Sequence, residues 1–129
     1  MLHSGEMDEA QIYSTIGEEG FIRLVRAFYR QVPGDDILGK MYPERDRAAA
    51  EQRLRDFLIY RFGGSERYIG QRGHPRLRAR HLPLEIDQAA RDRWIELMNR
   101  ALSEAALPPE VEQCLRMFFE QVSTFLINH

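Results

Sequence analysis

The chain has 129 residues, 43% of them hydrophobic, with a formal net charge of −2 at pH 7. That size and apolar content suffice for one domain burying roughly two-thirds of the surface its unfolded form exposes, and the charge excludes a protein built mainly to hold nucleic acid. A lone cysteine, Cys114, excludes an intramolecular disulfide, and no stretch approaches the roughly 20 apolar residues of a membrane span.

In chain order, residues 1–11 form a short polar N-terminal extension and residues 12–129 a single domain. The first ten residues lack the apolar core of a signal peptide, so a cytoplasmic location is expected. "AQIYSTIG" predicts a short helix stopped by Gly17. After it, Phe21, Leu24, Val25, Phe28 and Val32 recur at helical spacing until Pro33-Gly34 ends the run. "DDILGKMYPERD" is too short and broken for a long element and predicts one or two tight turns. A helix follows, with Ala50, Leu54, Phe57 and Leu58 on its apolar face and Gly63-Gly64 as a left-handed stop.

Residues 65–86 show no sustained period and carry Gly70, Gly73, Pro75 and Pro83, so a turn or two of helix is the most they admit. Asp87 then caps a long helix with Ala90, Trp94, Leu97, Met98 and Ala101 on one face. Beyond Pro108-Pro109 the last helix carries Val111, Leu115, Phe118, Phe119, Val122, Phe125 and Leu126. No strand pattern and no internal repeat is visible. The fold class is all-α, with four main helices.

Among the four histidines, His3 and His129 lie in the chain ends and His74 is pushed to an extended conformation by Pro75. His81 stands between apolar Ala79 and Leu82 before Pro83. On the residues alone an ordinary surface or hydrogen-bonded histidine is favoured over a metal ligand. No H-x3-H, H-E-x-x-H or Cys/His cluster exists to build a zinc site. A single imidazole is nevertheless a full protein ligand set for haem iron, which takes four bonds from its porphyrin.

The arginines of "RLRAR" (Arg76, Arg78, Arg80) are a solvated face or an anion-binding edge. Lys40 is the sole lysine among 18 basic residues, so an anionic ligand would meet arginine. Tyr29, Tyr42 and Trp94 are polar aromatics on or beside apolar faces, and buried O–H and N–H groups need partners. They satisfy backbone carbonyls or converge on a ligand.

In order and spacing, "AFYRQV", "MYPE", "EQRLRDFL", "YIGQRGHPRLRARH" and "RDRWIELM" resemble the second group of truncated haemoglobins, over about Ile12 to Leu126. The resemblance implies a two-over-two helical sandwich around haem b, with the proximal helix reduced to a turn presenting His81 to the iron. By the same carry-over Tyr29, Tyr42 and Trp94 become the distal donors, facing oxygen, carbon monoxide or nitric oxide. Phe28, Ala50, Leu54, Phe57, Leu58 and Met98 become pocket walls, with Ala50 leaving an opening where many globins place a distal histidine. Arg53, Tyr68 and Arg80 become partners of the haem propionates.

Several distal donors imply tight oxygen binding or redox chemistry, peroxidase-like or nitric oxide dioxygenase-like, rather than simple delivery. The chain has no flavin or nicotinamide region, so turnover needs an external reductant. Family habit implies a homodimer, while the charge and the lack of a long apolar run leave no nucleic acid or membrane partner expected. The competing expectation is a haem-free, globin-like interaction module. The sequence departs from the family at "IGEEG", where Gly17 and Gly20 replace an adjacent glycine pair.

Overall fold

The computed structural model describes residues 9–63 and 86–126, and for Ala10 and Phe125 the backbone alone. Tyr68, His74, Arg80 and His81 lie outside the described residues, as do His3 and His129. The described elements are all helical. They are α1 (Glu9–Gln31), a 3-10 turn (Val32–Gly34), α2 (Leu38–Met41), α3 (Glu44–Arg61), α4 (Gln88–Glu104) and α5 (Pro109–Phe125). Among them no helix is long and apolar enough to cross a membrane.

The two helices expected on either side of Gly17 run together as α1, bent where Gly17 takes φ 64°, ψ −174°. Only glycine adopts that conformation without steric cost. Gly20 serves the same bend differently. A Cβ there would stand 2.6 Å from Cβ of Ile16, so its bare backbone makes room for that side chain. The separated glycines of "IGEEG" thus divide two tasks, one of backbone angle and one of space. Beyond the bend, Phe21, Leu24, Val25 and Phe28 are fully buried, as their spacing predicts. Each such burial contributes about 1.5–3 kcal/mol.

The broken stretch after α1 resolves into two small elements. Pro33 opens the 3-10 turn, and the Asp35 carboxylate accepts the N–H groups of Ile37 and Leu38 at 3.0 and 2.8 Å, capping α2. Tyr42 closes α2, donating its N–H to the Leu38 carbonyl at 3.1 Å. α3 begins after Pro43 with Glu44 and Asp46 in its first turn, where carboxylates favour the helix dipole. It ends at Phe62 and at Gly63, whose φ is 90°. Asp87 caps α4 by accepting the Ala90 N–H at 2.8 Å. The link to α5 passes through Ala106, the one non-glycine at positive φ (55°) among the described residues.

α1 packs against α3 and α4, and α4 against α5. A file of aromatic rings crosses this core. It runs from Tyr13 through Phe21, Phe62, Phe118, Phe119, Trp94, Phe28 and Tyr29 to Tyr42, with successive centroids 5.0–6.3 Å apart. Such spacing is in the range where edge and offset contacts are favourable. Gln31 adds a polar tie, donating to the Leu97 carbonyl of α4 at 2.9 Å.

Candidate functional site

The last rings of that file border a cavity of about 240 Å³. α2 and Tyr42 form one side, α3 contributes Ala50, Arg53, Leu54 and Phe57, and α4 contributes Ala90, Arg91 and Trp94. α5 closes it with Phe118, Phe119, Val122 and Ser123. The walls are mainly hydrocarbon, and the polar groups gather in two places. Tyr29, Tyr42 and Trp94 form one cluster, while Arg53 and Arg91 bring the positive charge.

The aromatic cluster is built from three elements. Tyr29 projects from α1, buried, with its ring edge-on to Phe28 at 5.0 Å and to Tyr42 at 5.5 Å. Phe28 stands 5.1 Å from Trp94 on α4. Tyr42 sits at the end of α2, with the Tyr29 ring edge-on to it and Trp94 lining the same cavity. An indole N–H can only donate, so Trp94 adds a donor beside the two phenols. Three polar aromatics from three elements therefore meet at one end of the cavity.

Burial is the main cause that pushes the Tyr29 hydroxyl far above the ordinary phenol range, with Tyr42 adding to the shift. Burial also raises Tyr42, although neighbouring Trp94 and Tyr29 and the charge of Arg53 work against it. Both phenols keep their protons at neutral pH. They are donors, not phenolates.

Of the residues expected at a haem pocket, Ala50, Leu54, Phe57 and Arg53 line the cavity together with Tyr29, Tyr42 and Trp94. Phe28, Leu58 and Met98 are fully buried one layer behind it, where Phe28 buttresses Tyr29 and Trp94. The expected propionate partners Tyr68 and Arg80, and the expected iron ligand His81, lie outside the described residues. The contribution of α5 was not anticipated, although Phe118, Phe119 and Val122 are on its apolar face in the sequence. Nor was Arg91, whose half-buried guanidinium donates to the Thr124 hydroxyl at 3.2 Å; one turn of helix carries it from Asp87 to the cavity edge.

Among the described residues no three His, Cys, Asp or Glu side chains are grouped to hold a metal ion. The cavity suits instead a ligand that brings its own metal donors. Its hydrocarbon walls match a porphyrin plate, its arginines match carboxylate substituents, and its lining includes no carboxylate among the described residues.

The comparisons with known proteins agree. The family model for bacterial-like globins matches residues 11–127. The chain belongs to the group 2 truncated hemoglobins. It is 33% identical to the group 2 truncated hemoglobin YjbI of Bacillus subtilis over 116 residues, 90% of this chain and 87% of that protein. It is 28% identical over 124 residues to two-on-two hemoglobin-3 of Arabidopsis thaliana, 94% of this chain and 71% of the relative.

Among solved structures, a thermostable hemoglobin from Thermobifida fusca superposes with a TM-score of 0.87 at 44% identity, covering 91% of this chain and 96% of that one. The truncated oxygen-avid haemoglobin of Bacillus subtilis gives 0.85 at 32% identity, covering 91% and 98%. The fold is thus the all-helical truncated globin fold, and membership of the hemoglobins implies haem as cofactor and diatomic ligands as its guests.

Proposed function

We propose that this truncated hemoglobin binds oxygen, carbon monoxide and nitric oxide beside haem b held by His81, and that its distal residues retain oxygen tightly. Haem would supply a ferrous iron with four porphyrin bonds, one position for His81 and one for the diatomic ligand. Everything else in the reading concerns the chain's own donors.

The observation that supports it is the meeting of Tyr29, Tyr42 and Trp94 at one end of an otherwise hydrocarbon cavity. A phenol can donate its proton and an indole N–H can only donate. The Tyr42 hydroxyl and the Trp94 N–H are therefore the donors this cluster offers a guest in the cavity. A guest oxygen carrying partial negative charge gains about 1.5–3 kcal/mol from such a bond. Trp94 lies at the same cavity wall and shares its N–H with the guest when Tyr42 turns toward it.

Ala50 presents a methyl group where a bulkier side chain would obstruct entry, so ligand passes between α3 and the Tyr42 turn. Arg53, Tyr68 and Arg80 pair with the propionates in this reading, and Arg91 joins them from α4. Tight retention suits oxidation of nitric oxide or handling of peroxide better than oxygen delivery, with electrons from an external reductant. The relative described as oxygen-avid supports the direction of this reading.

The test is the absorption spectrum of the haem-loaded chain, ferric and then ferrous with carbon monoxide, beside His81→Ala. Stoichiometric haem with imidazole-ligated iron, lost in the variant, is the expected result. Wild-type protein that takes up no haem would return the chain to the reading as an interaction module.

A further inference from the structure

Tyr42 is carried by a helix of four residues, Leu38–Met41. An isolated turn of that length does not hold its own shape, because the cost of fixing its backbone exceeds the return from one or two hydrogen bonds. Something outside it must fix where Tyr42 stands. Two arginines do so, one at each end. Beyond the C-terminal end, Arg47 Nε donates to the Tyr42 carbonyl at 2.8 Å. At the N-terminal end Asp35 has two faces. Oδ2 accepts the Leu38 and Ile37 N–H groups, and Oδ1 accepts from Arg93 Nη1 at 2.6 Å.

Arg93 directly precedes Trp94 in α4. The carboxylate that caps the Tyr42-bearing helix is therefore bonded to the residue beside Trp94. The geometry favours a tie with consequences. The Asp35 side chain is only 9% exposed and that of Arg93 28%, so solvent screens the pair far less than it does surface ion pairs. The same Nη1 also reaches Asp36 at 2.7 Å, but that side chain is 82% exposed and adds little hold.

We propose that the Asp35–Arg93 pair is a positioning device that holds the Tyr42 hydroxyl against the Trp94 indole and so sets how firmly the cavity retains a diatomic ligand. The second clause rests on the ligand-binding reading given above; the first does not. In this arrangement α2 is tied to α4: the ion pair joins the carboxylate at the start of the Tyr42-bearing turn to the residue directly before Trp94. Hydrogen bonds weaken steeply with angle and distance, so a small swing of α2 is enough to loosen the bond.

The test uses Asp35→Asn, which keeps an oxygen for the N–H groups of α2 but loses the charge, together with Arg93→Gln, the conservative Arg93→Lys, and Arg100→Gln as a control. Arg100 pairs with Glu96 on the exposed side of α4. Trp94 is the sole tryptophan, so its fluorescence in the full-length chain before haem loading reports its own surroundings. Red-shifted emission and about twofold or greater acrylamide quenching are expected in Asp35→Asn and Arg93→Gln, with partial return in Arg93→Lys and no change in Arg100→Gln. In the haem-loaded protein the same two variants should raise the C–O stretching frequency of the carbon monoxide adduct and speed oxygen release roughly two- to tenfold.

Unchanged Trp94 emission and unchanged C–O stretching in both variants would overturn the positioning role. Tyr42→Phe separates the two claims. If it alters oxygen release while the ion-pair variants leave it and the fluorescence alone, the device is refuted and the ligand site stands. If it leaves oxygen release unaltered while the ion-pair variants shift Trp94 emission, the device stands and the assignment of Tyr42 as ligand donor falls.

Discussion

Replacing Tyr42 by Phe removes one oxygen atom and keeps the ring that stands edge-on to Tyr29 at 5.5 Å. The packing is unchanged, so the effect isolates hydrogen bonding. In the proposed site that oxygen donates one bond to the guest. Loss of the donated bond removes about 1.5–3 kcal/mol from retention of a partly charged oxygen, and each 1.4 kcal/mol is a factor of ten in rate. On its own that gives a release rate faster by about ten- to a hundredfold. The Trp94 N–H, which lines the same cavity, should recover part of the loss and put the outcome near tenfold.

Trp94→Phe removes a donor with no such compensation at its own position and is also expected to speed release at least tenfold. The double variant, with neither donor, should exceed both. The assay is displacement of oxygen by carbon monoxide in a stopped-flow instrument, on ferrous, haem-loaded protein. Release rates unchanged in both single variants would refute the cage while leaving haem binding intact. A Trp94→Phe effect with none from Tyr42→Phe would place the donor on the indole and refute the assignment of the Tyr42 proton.

His81→Ala should abolish the imidazole-ligated haem spectrum, and added imidazole should restore it. Phe28→Ala empties a fully buried site between Tyr29 and Trp94 and should cost about 3–5 kcal/mol in thermal or urea unfolding. Ala106 holds φ 55° after the end of α4, where glycine is the favoured residue, so Ala106→Gly should raise the melting temperature, by about 0.5–1 kcal/mol of stability. At Asp35, burial opposes ionisation, but the bonds from Leu38 N–H, Arg93 and Ile37 N–H outweigh it and hold the carboxyl below its usual range. Its stabilisation is complete above the unfolded value, near pH 4, and is lost as pH falls through the lower folded value. Asp35→Asn should therefore unfold with a weaker pH dependence than wild type below about pH 4, as followed by circular dichroism.

The long helices were readable because each buries one face and so keeps a strict apolar period, as the run from Phe21 to Phe28 does. Their ends were readable wherever a residue has a distinct terminal chemistry, as at Asp87 and Gly63. The bend at Gly17 was legible as a stop, but not as a continuation, because whether chain resumes a helix beyond a glycine depends on what packs around it. Tyr29, Tyr42 and Trp94 stood out by residue type and family pattern. Their meeting at one cavity did not, since it depends on three elements far apart in sequence. The Asp35–Arg93 pair was hidden for the same reason. Charged residues on amphipathic faces look alike until the fold shows which carboxylate faces which guanidinium. Apolar spacing marks the inner face of a helix and not the depth at which a side chain stops, so the sequence could not rank Phe28, Leu58 and Met98 by distance from the cavity.

The ring file that begins at Tyr13 and ends at Tyr42 passes through Phe118 and Phe119, so it joins α1 to α5 where it meets the cavity. During synthesis, Tyr29 and Tyr42 leave the ribosome long before α5 does. Until α5 docks, the wall formed by Phe118, Phe119 and Val122 does not exist, and Trp94 has no ring on its far side. Non-local contacts of this kind form late. The cavity wall that α5 supplies is consequently completed only once that helix has been made and has docked.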